Sequence, residues 1–206
     1  MILNNFNEAM TYAAASEPFR IEKAILYTYG KKQGDIYFLG MRGTDQSFDP
    51  NDLIGLPTCA KAALTLDNNY FRAVKSALLT EVPAGSDVVI VAHSLGGMVA
   101  QQLAADDEVK NHCNFLNILT IGSPFVPVHG RACPLRRIAD VGDAVPLFTP
   151  VGVLTFFLGG GVKRENGGYL GHFVLAHTDS YRYSQKWFKY DVFGNVNGGH
   201  TVEIIG

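Results

Sequence analysis

The chain has 206 residues, of which 47% are hydrophobic and 17% charged, with a formal net charge of -2 and a pI of about 6.3. This composition is typical of an ordinary globular protein and excludes intrinsic disorder. The small net charge offers no long-range attraction to nucleic acid or to an anionic membrane surface, so we expect no nucleic-acid partner.

The cysteines and the N-terminus indicate which kinds of site and which cellular compartment to expect. The three cysteines, Cys59, Cys113 and Cys133, are an odd number without metal-ligand spacing, so they predict free, buried or half-buried thiols and no metal site. The N-terminus lacks the signal-peptide layout, and no apolar run reaches the roughly 20 residues that cross a bilayer. We therefore expect one domain over residues 1–206 in the cytoplasm, with export that needs no cleaved signal as the alternative.

The order of predicted elements indicates an α/β protein. A helix is expected over residues 4–16, and two strands over 23–29 and 35–41 joined by a tight connection at 30–34. A helix over 68–81 then precedes a strand at 88–92 that is apolar enough to be buried on both faces. The remaining predictions are a helix at 95–105 and strands at 115–121, 136–141, 187–192 and 201–205. This alternation predicts a central, mostly parallel sheet flanked by helices in three layers.

The segment VVIVAHSLGG, residues 88–97, carries the strongest functional signal. It runs from a buried strand into Ser94 and then into a helix, with small residues at Ala92 and Gly96. A nucleophile elbow needs this arrangement, because its serine lies at a sharp strand-to-helix turn where larger neighbours would collide. The alternative is that Ser94 merely caps the helix that begins at Leu95. We predict that Ser94 is a catalytic nucleophile.

Four segments in the same order resemble the class-three (fungal-type) lipases of the α/β-hydrolase superfamily. These segments are LGMRGTD at 39–45, AHSLGG at 92–97, LTIGSP at 119–124 and IADVGDAVP at 138–146. The resemblance implies an α/β-hydrolase fold and a carboxylic ester hydrolase that uses a Ser-His-Asp triad without a cofactor. The general elbow pattern prefers glycine where this chain has Ala92.

An oxyanion hole needs donors from two chain segments that converge on one point. One donor is expected from the backbone N–H of Leu95, which follows the nucleophile. The resemblance implies that the second comes from Thr44, and Gly43 would let the backbone approach closely. The alternative is that Gly43 and Thr44 only turn the chain after a strand.

The remaining triad residues are expected downstream of Ser94. Asp143 matches the position of the family's acid, and Asp140, three residues earlier, is the competitor. For the base, we predict His177, which is followed by a tyrosine as in the family. His200 is the alternative base, and His172 resembles a structural histidine found upstream in some members.

Three further histidines are assigned other roles. The elbow points the side chains of His93 and Ser94 away from each other, so we expect His93 to pack rather than to act as the base. His112 and His129 lie in predicted loops, where exposure to solvent is the default.

Apolar segments near the predicted site favour an acyl substrate. Residues 45–56 occupy the position of the family's lid, and the apolar run at 151–158 is either a lipid-contacting flap or core. We expect a lipase or phospholipase that binds a lipid or small ester and touches lipid surfaces transiently. The alternatives are an acyltransferase or thioesterase on the same triad, a toxin-like phospholipase effector, and a non-catalytic binding module.

Overall fold

The computed structural model describes residues 1–43, 69–147 and 162–205. In these ranges the strands are β1 (Ile2–Leu3), β2 (Phe19–Thr28), β3 (Lys31–Met41), β4 (Asp87–His93), β5 (Asn114–Ile121), β6 (Leu135–Asp140), β7 (Val162–Glu165) and β8 (His200–Ile204). The helices, numbered in order, are α1 (Phe6–Ala15), α2 (Asn69–Glu81), α3 (Leu95–Leu103), α4 (Asp107–His112), α5 (Phe173–His177) and α6 (Asp179–Tyr183). Short 3-10 turns lie at Val145–Leu147 and Gln185–Trp187.

All the strands form one sheet in the order β1-β8-β2-β3-β4-β5-β6-β7. Every neighbouring pair from β3 to β7 is parallel. The pairs β1–β8, β8–β2 and β2–β3 are antiparallel and form one side of the sheet. The predicted mostly parallel sheet is therefore confirmed, with β4 at its centre.

Strand β4 is buried on both faces, as its apolar run predicts. Val89 and Val91 point into the core on the α1 side of the sheet. Val88, Ile90 and Ala92 point into the core on the opposite side, because side chains alternate along a strand. A central strand with helices on both faces needs apolar residues along its length, and residues 88–92 of β4 are all apolar.

Helices cover both faces of the sheet. Helix α1 begins after Asn5, whose side chain accepts a hydrogen bond from the Glu8 N–H, and it buries Phe6 and Met10 in one core. Helices α2, α3 and α4 pack on the other face and share the second core. The predicted three-layer arrangement is confirmed by these two cores.

The predicted strand at 187–192 is wrong. Trp187 ends a 3-10 turn instead, and its ring is fully buried 5.3 Å from that of Phe6. The Asp191 carboxylate then accepts hydrogen bonds from the backbone N–H groups of Phe193, Asn195 and His200. These bonds curl the chain into a loop. Trp187, Tyr190 and Val192 are buried in the core that α1 covers without forming a strand, and Phe188 is exposed.

The structure also differs from the predicted elements in the lengths of two strands and in several short elements. Strands β2 and β3 are longer than predicted, and only Tyr29 and Gly30 join them. Strands β1 and β7 and helices α4 to α6 were not predicted from the sequence. Among the helices described, none is long and apolar enough to cross a membrane.

Candidate active site

Ser94 lies at the turn between β4 and α3 in a strained backbone conformation. Its φ and ψ angles are 54° and -123°, which a side-chain-bearing residue rarely adopts. The Ser94 N–H donates to the Ile121 carbonyl at the end of β5, over 2.9 Å. A Cβ at Gly96 would lie 2.6 Å from the Arg42 carbonyl oxygen, so this position must be small. These features are those of a nucleophile elbow.

The chain after β3 approaches Ser94 closely. A Cβ at Gly43 would lie 2.6 Å from Ser94 Cβ, so only glycine fits without a shift. Thr44, the predicted second oxyanion donor, lies outside the described residues. Leu95, the predicted first donor, is the first residue of α3, and the first N–H groups of a helix have no partner within it.

His177, the last residue of α5, contacts both Ser94 and Asp143. Its Nε2 lies 3.0 Å from Ser94 Oγ, and its Nδ1 lies 2.9 Å from Asp143 Oδ2. A carboxylate only accepts hydrogen bonds, so Nδ1 carries the proton and Nε2 is left to accept from the serine hydroxyl. This is the tautomer that a general base facing Ser94 requires.

Asp143 is held from several directions. It follows β6 and is 1% exposed. Its Oδ1 accepts the Val145 N–H at 2.9 Å, and its Oδ2 accepts the Tyr181 hydroxyl at 2.6 Å in addition to His177. Three donors fix the orientation of this buried carboxylate, as the acid of a triad requires.

Tyr181 was not assigned a role from the sequence. Its hydroxyl donates to Asp143 and accepts the Asp140 N–H at 2.8 Å. Burial, and then the adjacent Asp143 charge, raise the pKa of Tyr181 well above its usual value. It therefore stays protonated and remains a donor. Its position four residues after His177 was the signal available in the sequence.

His93 packs against His177, as expected, and also makes a hydrogen bond that was not expected. The two ring centres are 4.7 Å apart, and His93 Nε2 donates to the His177 carbonyl at 2.9 Å. Burial, and then the neighbouring His177, lower the pKa of His93 well below its ordinary value. His93 is therefore neutral and supports the backbone of His177.

The competing acid and base are engaged elsewhere. The Asp140 carboxylate accepts the Gly142 and Gly167 N–H groups and the Ser180 hydroxyl, so it fixes loops. His200 bonds to Asp191 and stacks on Phe193 with ring centres 4.2 Å apart. Neither of the two competitors contacts the Ser94 or His177 side chains.

The other histidines and the described thiols make none of the contacts that join Ser94, His177 and Asp143. His172 and His129 are exposed, whereas His112 is half-buried because its Nε2 bonds to the Val82 carbonyl at 2.7 Å. Burial raises the pKa values of the free thiols of Cys113 and Cys133 to about 11. Cys59, the predicted lid at 45–56 and the apolar run at 151–158 lie outside the described residues. Within the described part of the chain, no cluster of three metal-ligating side chains occurs.

Comparison with known proteins supports the fold. Residues 63–130, about a third of the chain, match a family described as "PGAP1-like alpha/beta domain". This stretch includes β4, the Ser94 turn, α3 and β5. No curated protein matches the chain. The sheet order, the turn at Ser94 and this match together show a protein with the α/β-hydrolase fold, similar over this stretch to a hydrolase-type family.

Proposed function

We propose that this protein is a serine hydrolase that cleaves carboxylic esters of lipids, with Ser94 as nucleophile, His177 as base and Asp143 as acid. The proposal rests on one observation above all, the continuous line of hydrogen bonds from Ser94 Oγ through the His177 ring to Asp143. A serine hydroxyl is a weak nucleophile until an adjacent base accepts its proton, and this line provides that base.

The reaction proceeds in two halves. His177 Nε2 takes the hydroxyl proton while Ser94 Oγ attacks the ester carbonyl, and His177 then gives the proton to the departing alcohol oxygen. Water then attacks the acyl-enzyme carbonyl and loses a proton to His177, which gives that proton to Ser94 Oγ as the bond to the acyl group breaks and the carboxylic acid leaves. Asp143 stabilises the imidazolium that forms in each half without becoming protonated.

The oxyanion is stabilised by backbone donors at the start of α3. The Leu95 N–H lies at the positive end of that helix. Thr44 supplies the second donor in our proposal, and its support is the close approach of the preceding Gly43 to Ser94. Removing one donor from an oxyanion hole costs about 10²–10³ in kcat.

Lipid esters are the proposed substrates because of the sequence resemblance to class-three lipases. The four ordered segments of that resemblance lie at the carboxyl ends of β3, β4, β5 and β6, one segment on each strand. These are the four strands that carry the site. The apolar residues at 45–56 and 151–158 add support from composition alone, since an acyl chain is recognised by burying its methylene groups.

The test compares Ser94→Ala with Ser86→Ala on p-nitrophenyl esters of increasing acyl length. Ser94 directly follows β4 and Ser86 directly precedes it, so the pair removes equivalent hydroxyls from opposite ends of one strand. Ser94→Ala should lose at least about 10³-fold in kcat while Ser86→Ala keeps wild-type activity. Wild-type kcat/KM should rise by up to about fourfold per CH₂ until the groove is filled.

Two outcomes would contradict the proposal at different levels. Full activity of a folded Ser94→Ala protein would remove the triad. A flat chain-length profile beyond acetate, with no activity on triglyceride or phospholipid vesicles, would remove the lipid assignment and leave a hydrolase of small esters.

A further inference from the structure

Two arginines lie against Phe125 on the sheet face that carries α3, and a third, Arg164, is their neighbour on the sheet. Arg131 lies in the loop before β6, Arg137 on β6 and Arg164 on β7. The guanidinium carbons of Arg131 and Arg137 lie 5.2 and 4.7 Å from the centre of the Phe125 ring. One aromatic ring thus lies against two cations, a contact that holds both guanidinium groups in place.

Arg164 lies beside this pair because of the strand register. Ala139 on β6 pairs with Arg164 on the parallel strand β7. Side chains alternate between faces along a strand, so Arg137, Ala139 and Arg164 all point to the same face. Arg164 is therefore a diagonal neighbour of Arg137 on the sheet.

Arg131 and Arg137 carry positive charge that no described carboxylate balances. Arg137 is 5% exposed, and among the described residues its Nε has no hydrogen-bond partner. No carboxylate in the described ranges forms an ion pair with Arg131 or Arg137. A buried charge without a counter-charge is costly, so an anion at this place is strongly favoured.

The cluster keeps its charge at neutral pH. Burial, followed by repulsion from Arg131 and Arg164, lowers the pKa of Arg137 to about 10. Burial also lowers the pKa values of Arg131 and Arg164. The guanidinium groups therefore repel one another but stay protonated, and an oxyanion between them would relieve this repulsion.

We propose that Arg131, Arg137 and Arg164 form a binding site for a phosphate-type oxyanion. The planar guanidinium fork matches the spacing of phosphate oxygens, and arginine is the preferred residue where such oxygens are bound by paired hydrogen bonds. Arg131 and Arg164 are half-exposed, whereas Arg137 is buried.

The chain connects this cluster to the candidate active site. A Cβ at Gly122 would lie 2.6 Å from Asp143 Oδ2 and 3.1 Å from His177 Nδ1, so Gly122 lies directly against the triad. Phe125 follows three residues later, within about 10 Å of extended chain. If Ser94 hydrolyses lipid esters as proposed above, the oxyanion at the arginines is the phosphate of a phospholipid substrate; the other source is free phosphate.

The first experiment measures binding of inorganic phosphate by calorimetry, against chloride at equal ionic strength. Arg137→Met and Arg164→Gln should bind phosphate about 10- to 100-fold more weakly than wild type, the range for losing a charge-assisted hydrogen bond. Arg136→Gln is the matched control, since Arg136 is exposed and points to the opposite face of β6. It should bind as wild type does.

Two results would overturn the site. One is the lack of saturable phosphate binding by wild type, and the other is equal binding by wild type and both cluster variants. If Arg137→Met does not fold, the phosphate affinity of Arg164→Gln alone decides whether the site exists, because Arg164 is half-exposed. Ser94→Ala should bind phosphate with wild-type affinity, so failure of the proposed ester hydrolysis leaves this measurement intact.

A second experiment distinguishes the two sources of the oxyanion. A phospholipid and a diacylglycerol with the same acyl chains are compared as substrates in mixed micelles. If the ligand is the phospholipid phosphate, Arg164→Gln should raise KM about tenfold for the phospholipid and leave the diacylglycerol unaffected. If free phosphate is the ligand, both substrates should react as with wild type although phosphate binding is lost.

Discussion

The Tyr181 hydroxyl lies 2.6 Å from Asp143 Oδ2, the same oxygen that accepts His177 Nδ1. Since Tyr181 is fully buried and stays protonated, it fixes which way this oxygen faces. Tyr181 is thus a positioning residue for the proposed triad, three hydrogen bonds away from Ser94.

Tyr181→Phe keeps the buried ring and removes only this hydroxyl. We expect kcat to fall at least about tenfold with KM unchanged, because one hydrogen bond to a charged group is lost. The free energy of unfolding should fall by about 1–3 kcal/mol, since the Asp140 N–H also loses its acceptor. Tyr183→Phe, on the exposed side of the same helix, is the control. A Tyr181→Phe enzyme with wild-type kcat would contradict the positioning role.

His93 makes stability depend on pH. In the unfolded chain a histidine takes up a proton as the pH falls through about 6.5, whereas buried His93 resists protonation because its pKa is well below that value. The unfolded state then binds more protons, so the free energy of unfolding falls as the pH drops below about 6.5, by at most about 1.4 kcal/mol per pH unit.

His93→Gln tests this dependence. Glutamine does not titrate and retains an N–H that can reach the His177 carbonyl, so the fall in stability between pH 6.5 and 4.5 should be shallower than in wild type. Urea unfolding at a series of pH values measures it. The exposed His129→Gln variant should follow the wild-type curve. Parallel curves for all three proteins would show that His93 is not the group responsible.

Gly122 leaves room for the side chains of Asp143 and His177, the proposed acid and base. Its φ is 56°, and a Cβ there would lie 2.6 Å from Asp143 Oδ2 and 3.1 Å from His177 Nδ1. Gly122→Ala should therefore displace these groups and lower kcat by about 100-fold, the usual result of a misplacement near 1 Å.

Gly85→Ala provides the control for backbone strain. Gly85 has a φ of 80°, and a Cβ there would contact nothing within 4 Å. Both variants should lose about 1 kcal/mol of unfolding free energy from the left-handed backbone, but Gly85→Ala should keep full activity. Equal activity of the two variants would contradict the close approach at Gly122.

The central strand and the turn at Ser94 were predictable because local residues specify them. A strand buried on both faces must be apolar throughout, and residues 88–92 are. The sharp turn needs small neighbours, and the sequence has them. Long periodic helices such as α2 were found for the same reason, since one apolar face repeats along them.

The edge of the sheet and the supporting contacts were not predictable in the same way. Strand β7 is short, carries Lys163, Arg164 and Glu165, and is a strand only because β6 pairs with it. The hydroxyl of Tyr181 and the ring of His93 contact residues 38 and 84 positions away, and no local pattern specifies such partners. The side chains that support a site depend on the assembled fold.

The central claim is that Ser94 is an activated nucleophile, and covalent labelling tests it most directly. A fluorophosphonate reacts with a serine whose proton is taken by a neighbouring base and leaves the other hydroxyls untouched. The intact protein should gain one adduct, and mass mapping should find it on the peptide that contains Ser94; His177→Ala should abolish the labelling. An unlabelled folded protein, or an adduct on a different serine, would contradict the account.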